Sequence, residues 1–256
     1  MKSKISETEI KLAIQEQNYV LYYQPKFENK SRKIIGAEAL MRLKVNDELL
    51  LPDAFLHIVL AIGEMERMQI FLFHEVVRAL NSPELVNLDF SISVNMNSSE
   101  LVSKNHIKRI LNLLKFDLIH PENLEIEITE RSEFPDFTVA LGNLAEMKEL
   151  GIKISLDDFG RGFNSLSYLY ILPIDIMKLD RLFINKILTD LKVQVIVDGV
   201  IQMAHKLGIR VVAEGVETLE QVEYMDGLNC DIYQGFYFAK PVSFGEIKEK
   251  WLSFTV

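Results

Sequence analysis

Residues Ile154–Leu166 read ISLDDFGRGFNSL. An apolar run of strand character stops on two adjacent carboxylates, Asp157 and Asp158, and is followed by Phe159, Gly160 and Gly162. Like charges side by side repel and raise each other's pKa, so a buried strand that ends on them requires something to relieve the repulsion. The pattern is not confined to this segment. Short β-branched runs alternate with longer helical ones along the chain, and nearly every run carries polar residues at its far end.

The strand candidates are Val20–Phe27, Ile34–Leu43, Phe90–Met96, Leu124–Glu130, Ile152–Asp158, Asp175–Asp180, Ile209–Val216 and Asp231–Phe238. Helical periodicity falls over 52–61, 64–80, 99–116, 138–150, 191–207, a short stretch from Leu219, and 244–252, with Gly151 and Gly208 as stops. The first two strands are joined by the polar turn ENKSRK, too short for a crossover, so they pair antiparallel. Eight strands mostly separated by helices predict an α/β fold, a closed (β/α)8 TIM-like barrel. The competing architecture is an open doubly wound sheet.

In a barrel of parallel strands the C-terminal strand ends meet at one mouth. The residues that reach it are Glu38 on the second strand, Asn95 on the third, Glu127 and Glu130 on the fourth, and Asp157 and Asp158 on the fifth. Lys178 and Asp180 come from the sixth, Glu214 and Glu217 from the seventh, and Gln234 from the eighth. A lone strand-end glutamate is commonly an exposed or capping group; recurrence at seven strand ends is what carries weight. A ring of carboxylate and amide oxygens suits hard divalent cations such as Mg²⁺ or Mn²⁺. With adjacent aspartates, one can bridge two ions while the other serves a single ion, a layout that clamps the oxygens of a phosphoester.

The bulk properties narrow the alternatives. In 256 residues, 48% are hydrophobic, which supplies a core, and the formal net charge of −9 disfavours a long nucleic-acid partner. Cys230 is the sole cysteine, so neither an internal disulfide nor a thiolate zinc site is expected. The start lacks a signal-peptide core and no stretch is long enough to span a bilayer, so cytoplasmic residence without membrane insertion is the expectation. His57, His74, His106, His120 and His205 lack metal-ligand spacing, and neither a nucleophile elbow nor a Walker loop is present.

The motifs YQP, EALMR, SVNM, EITE, DDFGRGF, KLD, AEGVE and QGFYFAKP occur in this order between about Val20 and Pro241. The chain thereby resembles the EAL domain family of bacterial cyclic di-GMP phosphodiesterases, and residues 1–256 read as a single such domain. The resemblance implies a barrel with one antiparallel strand and metal-dependent hydrolysis of cyclic di-GMP to linear pGpG. It implies that Glu38, Asn95, Glu127 and Asp157 hold one ion, with Asp157 bridging to a second held by Asp158. Lys178 would orient the nucleophilic water, with Glu214 and Gln234 supporting the cluster. Glu130 would anchor the loop after Asp158, with Glu217 as a further support. Arg42 would hold a substrate phosphate, while Gln24, Leu40, Asp180 and Pro241 would line the nucleotide site. A homodimer formed near the loop after the aspartate pair is also implied. The chain departs from the family pattern at Arg161 and Asn164 in that loop and at Asn97, where a serine is common. The loop departures at Arg161 and Asn164 leave a second reading open, a cyclic di-GMP receptor or protein-interaction module.

Overall fold

The computed structural model describes residues 5–129, 134–161 and 165–252, so Glu130, Gly162 and Asn164 lie outside the described residues. The strands are β1 (Tyr19–Glu28), β2 (Ile34–Val45), β3 (Glu48–Leu50), β4 (Ser91–Asn95), β5 (Leu124–Thr129), β6 (Lys153–Phe159), β7 (Ile176–Leu179), β8 (Arg210–Glu214) and β9 (Ile232–Gln234). The helices are α1 (Glu7–Gln15), α2 (Pro52–Ala61), α3 (Met65–Leu80), α4 (Ser98–Val102), α5 (Lys104–Asp117), α6 (Phe137–Glu149), α7 (Ser165–Ile171), α8 (Arg181–Ile184), α9 (Leu191–Lys206), α10 (Leu219–Gly227) and α11 (Phe244–Ile247).

The sheet runs β1-β9-β8-β7-β6-β5-β4-β2, and β1 also pairs with β2, which closes an eight-stranded barrel; β3 sits outside on β2. Strand β1 is antiparallel to both neighbours, and the rest of the ring is parallel. The (β/α)8-like barrel with one antiparallel strand is therefore present, and the open sheet is excluded by the β1–β2 pairing. All eight barrel strands fall where the sequence places them.

Period-2 alternation sorts the side chains into two environments. Leu124, Ile126, Ile128, Ile92, Val94, Ile154, Leu156, Met177, Leu179, Val211 and Ala213 face outward and are buried under the helical ring. Each fully buried Leu or Ile contributes roughly 1.5–3 kcal/mol, so this layer carries the fold. The inward set differs in kind. Ile176, Val212 and Ile232 form a separate apolar cluster inside the barrel. Ser93, Ser155, Lys26, Glu125, Glu127 and Lys178 share that interior and are all buried.

Several elements go beyond the sequence reading. Helix α1 begins on a capping box, in which the Ser6 side chain accepts from Glu9 N and Glu9 accepts from Ser6 N; the S-x-x-E spacing announces it. Strand β3 follows a two-residue turn, with Val45 paired to Glu48 and Asn46 at φ 53°, a hairpin geometry that asparagine tolerates. The segment expected as one helix over 99–116 is two, because Ser103 leaves helical geometry at ψ 94° and serves as both C-cap of α4 and N-cap of α5. Asn97, the departure from the family's serine, caps α4: its Oδ1 accepts from Glu100 N at 2.9 Å, and Glu100 Oε2 accepts from Asn97 N at 2.7 Å. Asn and Ser are equivalent in this role.

Candidate active site

The parallel strands deliver their carboxylates to one end of the barrel. Lys178, 1% exposed, stands at the centre. Its Nζ lies 2.7 Å from Glu127 Oε2, 2.7 Å from Glu214 Oε1, 3.2 Å from Asp157 Oδ1 and 3.5 Å from Glu38 Oε2. Asn95 Nδ2 donates to Glu38 Oε1 at 2.8 Å, and Gln234 Nε2 donates to Glu38 Oε2 at 2.7 Å. Seven residues from seven strands thus form one connected cluster. Gly235 lets it close: a Cβ there would come within 2.1 Å of Val216 O, on the turn that follows Glu214.

The backbone at Asp158 explains the paired aspartates. Consecutive strand residues point to opposite faces, which would send Asp158 out of the barrel. Instead Asp158 takes φ 57°, a conformation asparagine and aspartate tolerate better than other side chains, and its N–H bonds Asp157 Oδ1 at 2.8 Å. The pairing register between β6 and β7 shifts at the same place. Both carboxylates then stay at the mouth: Asp157 joins Lys178, and Asp158 lines the adjoining cavity. Arg161 lies 3.3 Å from Asp158 Oδ1 and 3.4 Å from Asp180 Oδ2, while Asp180 Oδ1 caps α8 through Leu182 N at 2.8 Å.

The electrostatics follow from four carboxylates sharing one ammonium. Burial together with neighbouring carboxylates raises Glu38 and Asp157 above the usual range, and burial is the main force that takes Glu214 up to about 8. Burial pushes the same way at Glu127, but Lys178 and Lys26 outweigh it and hold that carboxyl at about 2. Burial alone would depress Lys178; the surrounding acids raise it well above its ordinary value.

Two cavities open from the mouth. One, of about 380 Å³, is lined by Gln24, Glu38, Leu40, Asp158, Asp180, Glu214, Glu217 and Gln234, together with Arg161 and Phe236. The other, of about 310 Å³, is mostly apolar, walled by Pro52, Leu56, Met65, Met68 and Leu72, and shares Leu40 with the first. Asn95, Gln69 and Glu100 border this slot, and the buried Gln69 Oε1 and Glu100 Oε1 have no hydrogen-bond partner. Gln69 Nε2 donates to Asn95 O at 3.3 Å, tying the slot to the cluster.

Of the residues singled out from sequence, Glu38, Asn95, Glu127, Asp157, Lys178, Glu214 and Gln234 meet directly, and Gln24, Leu40, Asp158, Asp180 and Glu217 face the same space. Neither cavity is walled by Arg42 or Pro241. Arg42 follows Glu38 and Leu40 on the same side of β2, beyond the rim, with its NH1 on Met41 O at 2.8 Å and its guanidinium 5.8 Å from the centre of the Tyr22 ring. Pro241 precedes Val242, which bridges to Tyr23 on β1. The sequence reading missed Gln69 and Glu100, which carry no motif. It also missed Lys26 and Glu125, although alternation with Gln24 and Glu127 places both on the inward face.

The donor set fits hard divalent cations: three carboxylates and an amide oxygen from Glu38, Glu127, Asp157 and Asn95, with Asp158 one residue away. Among the described residues no three acidic or histidine side chains converge on a common point as metal ligands would; the carboxylates converge on the Lys178 ammonium.

The barrel mouth, ringed by acids around one lysine, is the candidate active site of an α/β barrel. The EAL domain pattern matches residues 7–241, and the chain belongs to the EAL domain family. An EAL domain protein from Listeria monocytogenes superposes with a TM-score of 0.91 at 41% identity, covering 97% of this chain and 98% of that one. A structure described as the PaMucR phosphodiesterase in complex with c-di-GMP gives 0.83 at 31%, covering 94% and 98%. The probable cyclic di-GMP phosphodiesterase PdeG of Escherichia coli is 33% identical over 98% of this chain and half of its own length. The chain spans about a third of the length of other curated relatives, 30% of the Bacillus subtilis signaling protein YkoW among them. Among the described residues no helix is long and apolar enough to cross a membrane.

Proposed function

We propose that this chain hydrolyses cyclic di-GMP to linear pGpG with two divalent cations, Mg²⁺ or Mn²⁺, and does so in the cytoplasm. The observation that carries the reading is the convergence of Glu38, Glu127, Asp157 and Glu214 on Lys178, with Asn95 bonded to Glu38 and Asp158 turned to the same mouth. Glu38, Asn95, Glu127 and Asp157 would hold the first ion, and Asp157 and Asp158 the second. When bound, the ions supply Lewis acidity toward the scissile phosphate and the attacking water.

The chain's own groups do the rest. Water attacks phosphorus, the bond to the 3′ oxygen breaks, and that oxygen leaves with a proton. Lys178 is held in place by four acids; with the ions drawing Glu38, Glu127 and Asp157 to themselves, its protons would be free to hydrogen-bond the nucleophile or the developing charge. Gln234 and Asn95 fix the Glu38 carboxylate by donating to one oxygen each. The apolar slot suits a purine ring, and the unpartnered oxygens of Gln69 and Glu100 are acceptors matched to the N–H edge of guanine. Leu40 joins this slot to the polar cavity that would take the phosphates, and Arg42 would meet a phosphate at the rim. Glu130 would anchor the loop after Asp158, and Pro241 would close the nucleotide site.

Purified protein incubated with cyclic di-GMP and either metal should release pGpG, followed by chromatography, and a chelator should stop it. Absence of product with both metals across a range of pH overturns the assignment. One observation favours the second reading, a receptor without turnover: Arg161 sits on Asp158 and Asp180. Calorimetric binding of cyclic di-GMP without product would select it.

The oligomer we infer is a homodimer. On α7, Leu166 and Tyr170 are 65% and 89% exposed, and on α9 Leu191 and Val195 are 77% and 73% exposed. Apolar stripes of this kind, spaced i, i+4, fit a second copy of the chain. Tyr170→Asp together with Val195→Asp should halve the mass in light scattering; an unchanged mass, or a wild-type monomer, removes the dimer.

A further inference from the structure

Beneath the mouth lies a second buried charge pair. Lys26 on β1 is 2% exposed and Glu125 on β5 is 1% exposed. These strands are not sheet neighbours, so the pair spans the barrel interior. Lys26 Nζ lies 3.1 Å from each oxygen of Glu125 and 3.0 Å from Glu127 Oε1. The other oxygen of Glu127, Oε2, faces Lys178 at 2.7 Å. Removing two charges from water costs several kcal/mol per ion, and Glu125 alone already matches the charge of Lys26. The additional bond to Glu127 is therefore not needed to balance Lys26; its effect falls on Glu127.

We propose that Lys26, held by Glu125, is a positioning residue that occupies Oε1 of Glu127 and leaves only Oε2 to face the mouth. This rests on the reading of the mouth as a divalent-cation phosphodiesterase site. A carboxylate with both oxygens free can chelate a cation with both and take a coordination position that water or substrate would use. Lys26 denies Glu127 that option and fixes the rotation of its carboxylate. Groups that orient metal ligands without touching the metal are a recurrent feature of such sites.

The test uses Lys26→Met with Glu125→Gln, which removes one charge of each sign and leaves no orphaned ion. The single variant Glu125→Gln, in which Lys26 stays on Glu127, serves as comparison. Melting temperature, Mn²⁺ binding without substrate by calorimetry, and kcat and KM for cyclic di-GMP are measured on all three proteins. The double variant should bind Mn²⁺ no more weakly than wild type and keep its KM, while kcat falls roughly 10–100-fold; Glu125→Gln should lose less. The inference is overturned if kcat of the double variant stays at the wild-type level. It is also overturned if Mn²⁺ binding and melting temperature fall in step with kcat, or if the single variant loses as much. A wild-type protein that neither binds Mn²⁺ nor hydrolyses the dinucleotide overturns instead the functional reading on which the inference stands.

Discussion

The two ends of the barrel use the same residue type in opposite ways. At the end where β7 and β9 begin, Asp175 Oδ2 accepts from Ile154 N at 2.8 Å with its Oδ1 on Lys148, and Asp231 Oδ2 accepts from Val211 N at 2.8 Å and meets His205 Nε2 at 2.9 Å. Both aspartates are tied to backbone N–H groups of a neighbouring strand and hold that strand's start. At the mouth, the oxygens of Glu38 and Glu127 are bound by side-chain amides and ammonium groups. A carboxylate that holds the start of a neighbouring strand is part of the scaffold. At the mouth, a carboxylate gathered on a buried ammonium can exchange that cation for another, and this separates the functional end from the structural one, although Asp157 and Asp180 each also keep one local backbone bond.

The sharpest way to break this contrast is Asp157→Asn. It keeps the shape but removes the charge shared with Lys178, and turnover should fall by about 10³-fold or more, equivalent to about 4 kcal/mol in the barrier, with the melting temperature nearly unchanged. Near-normal kinetics would mean that the mouth acids are scaffold after all. Lys178→Met tests the same end through stability. It leaves four acids without their ammonium, and breaking a buried ion cluster of this kind costs about 3–5 kcal/mol. Added Mn²⁺ should recover part of that loss in thermal unfolding; no recovery would argue against a cation site.

A smaller effect is expected from Glu100, which burial raises to about 7 against its backbone bond to Asn97. A carboxyl whose folded pKa lies above its unfolded one binds more protons when folded, so stability declines as pH rises from the unfolded value of 4.5 toward 7. Glu100→Gln, which retains a capping side chain, should therefore gain on wild type by about 2 kcal/mol between pH 5 and 8 in denaturant titrations. A gap that does not change with pH would place Glu100 in water. The smallest effect belongs to the opposite end: Asp231→Asn should cost about 1 kcal/mol of stability and leave kcat untouched. A fall in kcat there would erase the distinction between the ends.

Much of this was legible in one dimension. Strand alternation and the acids at strand ends are local patterns, and the eight barrel strands and the set of residues that reach the mouth follow from them. Lys26 and Glu125 were equally legible by period 2 but carried no motif to single them out. Gln69 and Glu100 were not legible, because each sits on a helix whose periodicity registers only as amphipathic. Arg42 reads as part of the site by its place after Glu38 and Leu40, yet it rests on Tyr22 at the rim, because each further step along the strand carries a residue away from the barrel centre.

The sequence by itself determined which residues alternate inward, that the first two strands pair antiparallel, and that seven strand ends carry polar groups, since these depend only on spacing along the chain. The tertiary structure alone decided that Asp158 turns back through a left-handed backbone to stay at the mouth. It alone decided that one lysine gathers four acids and that a second lysine reaches across the barrel to Glu127. Those outcomes depend on distances between strands far apart in the chain, and closure of the barrel sets them.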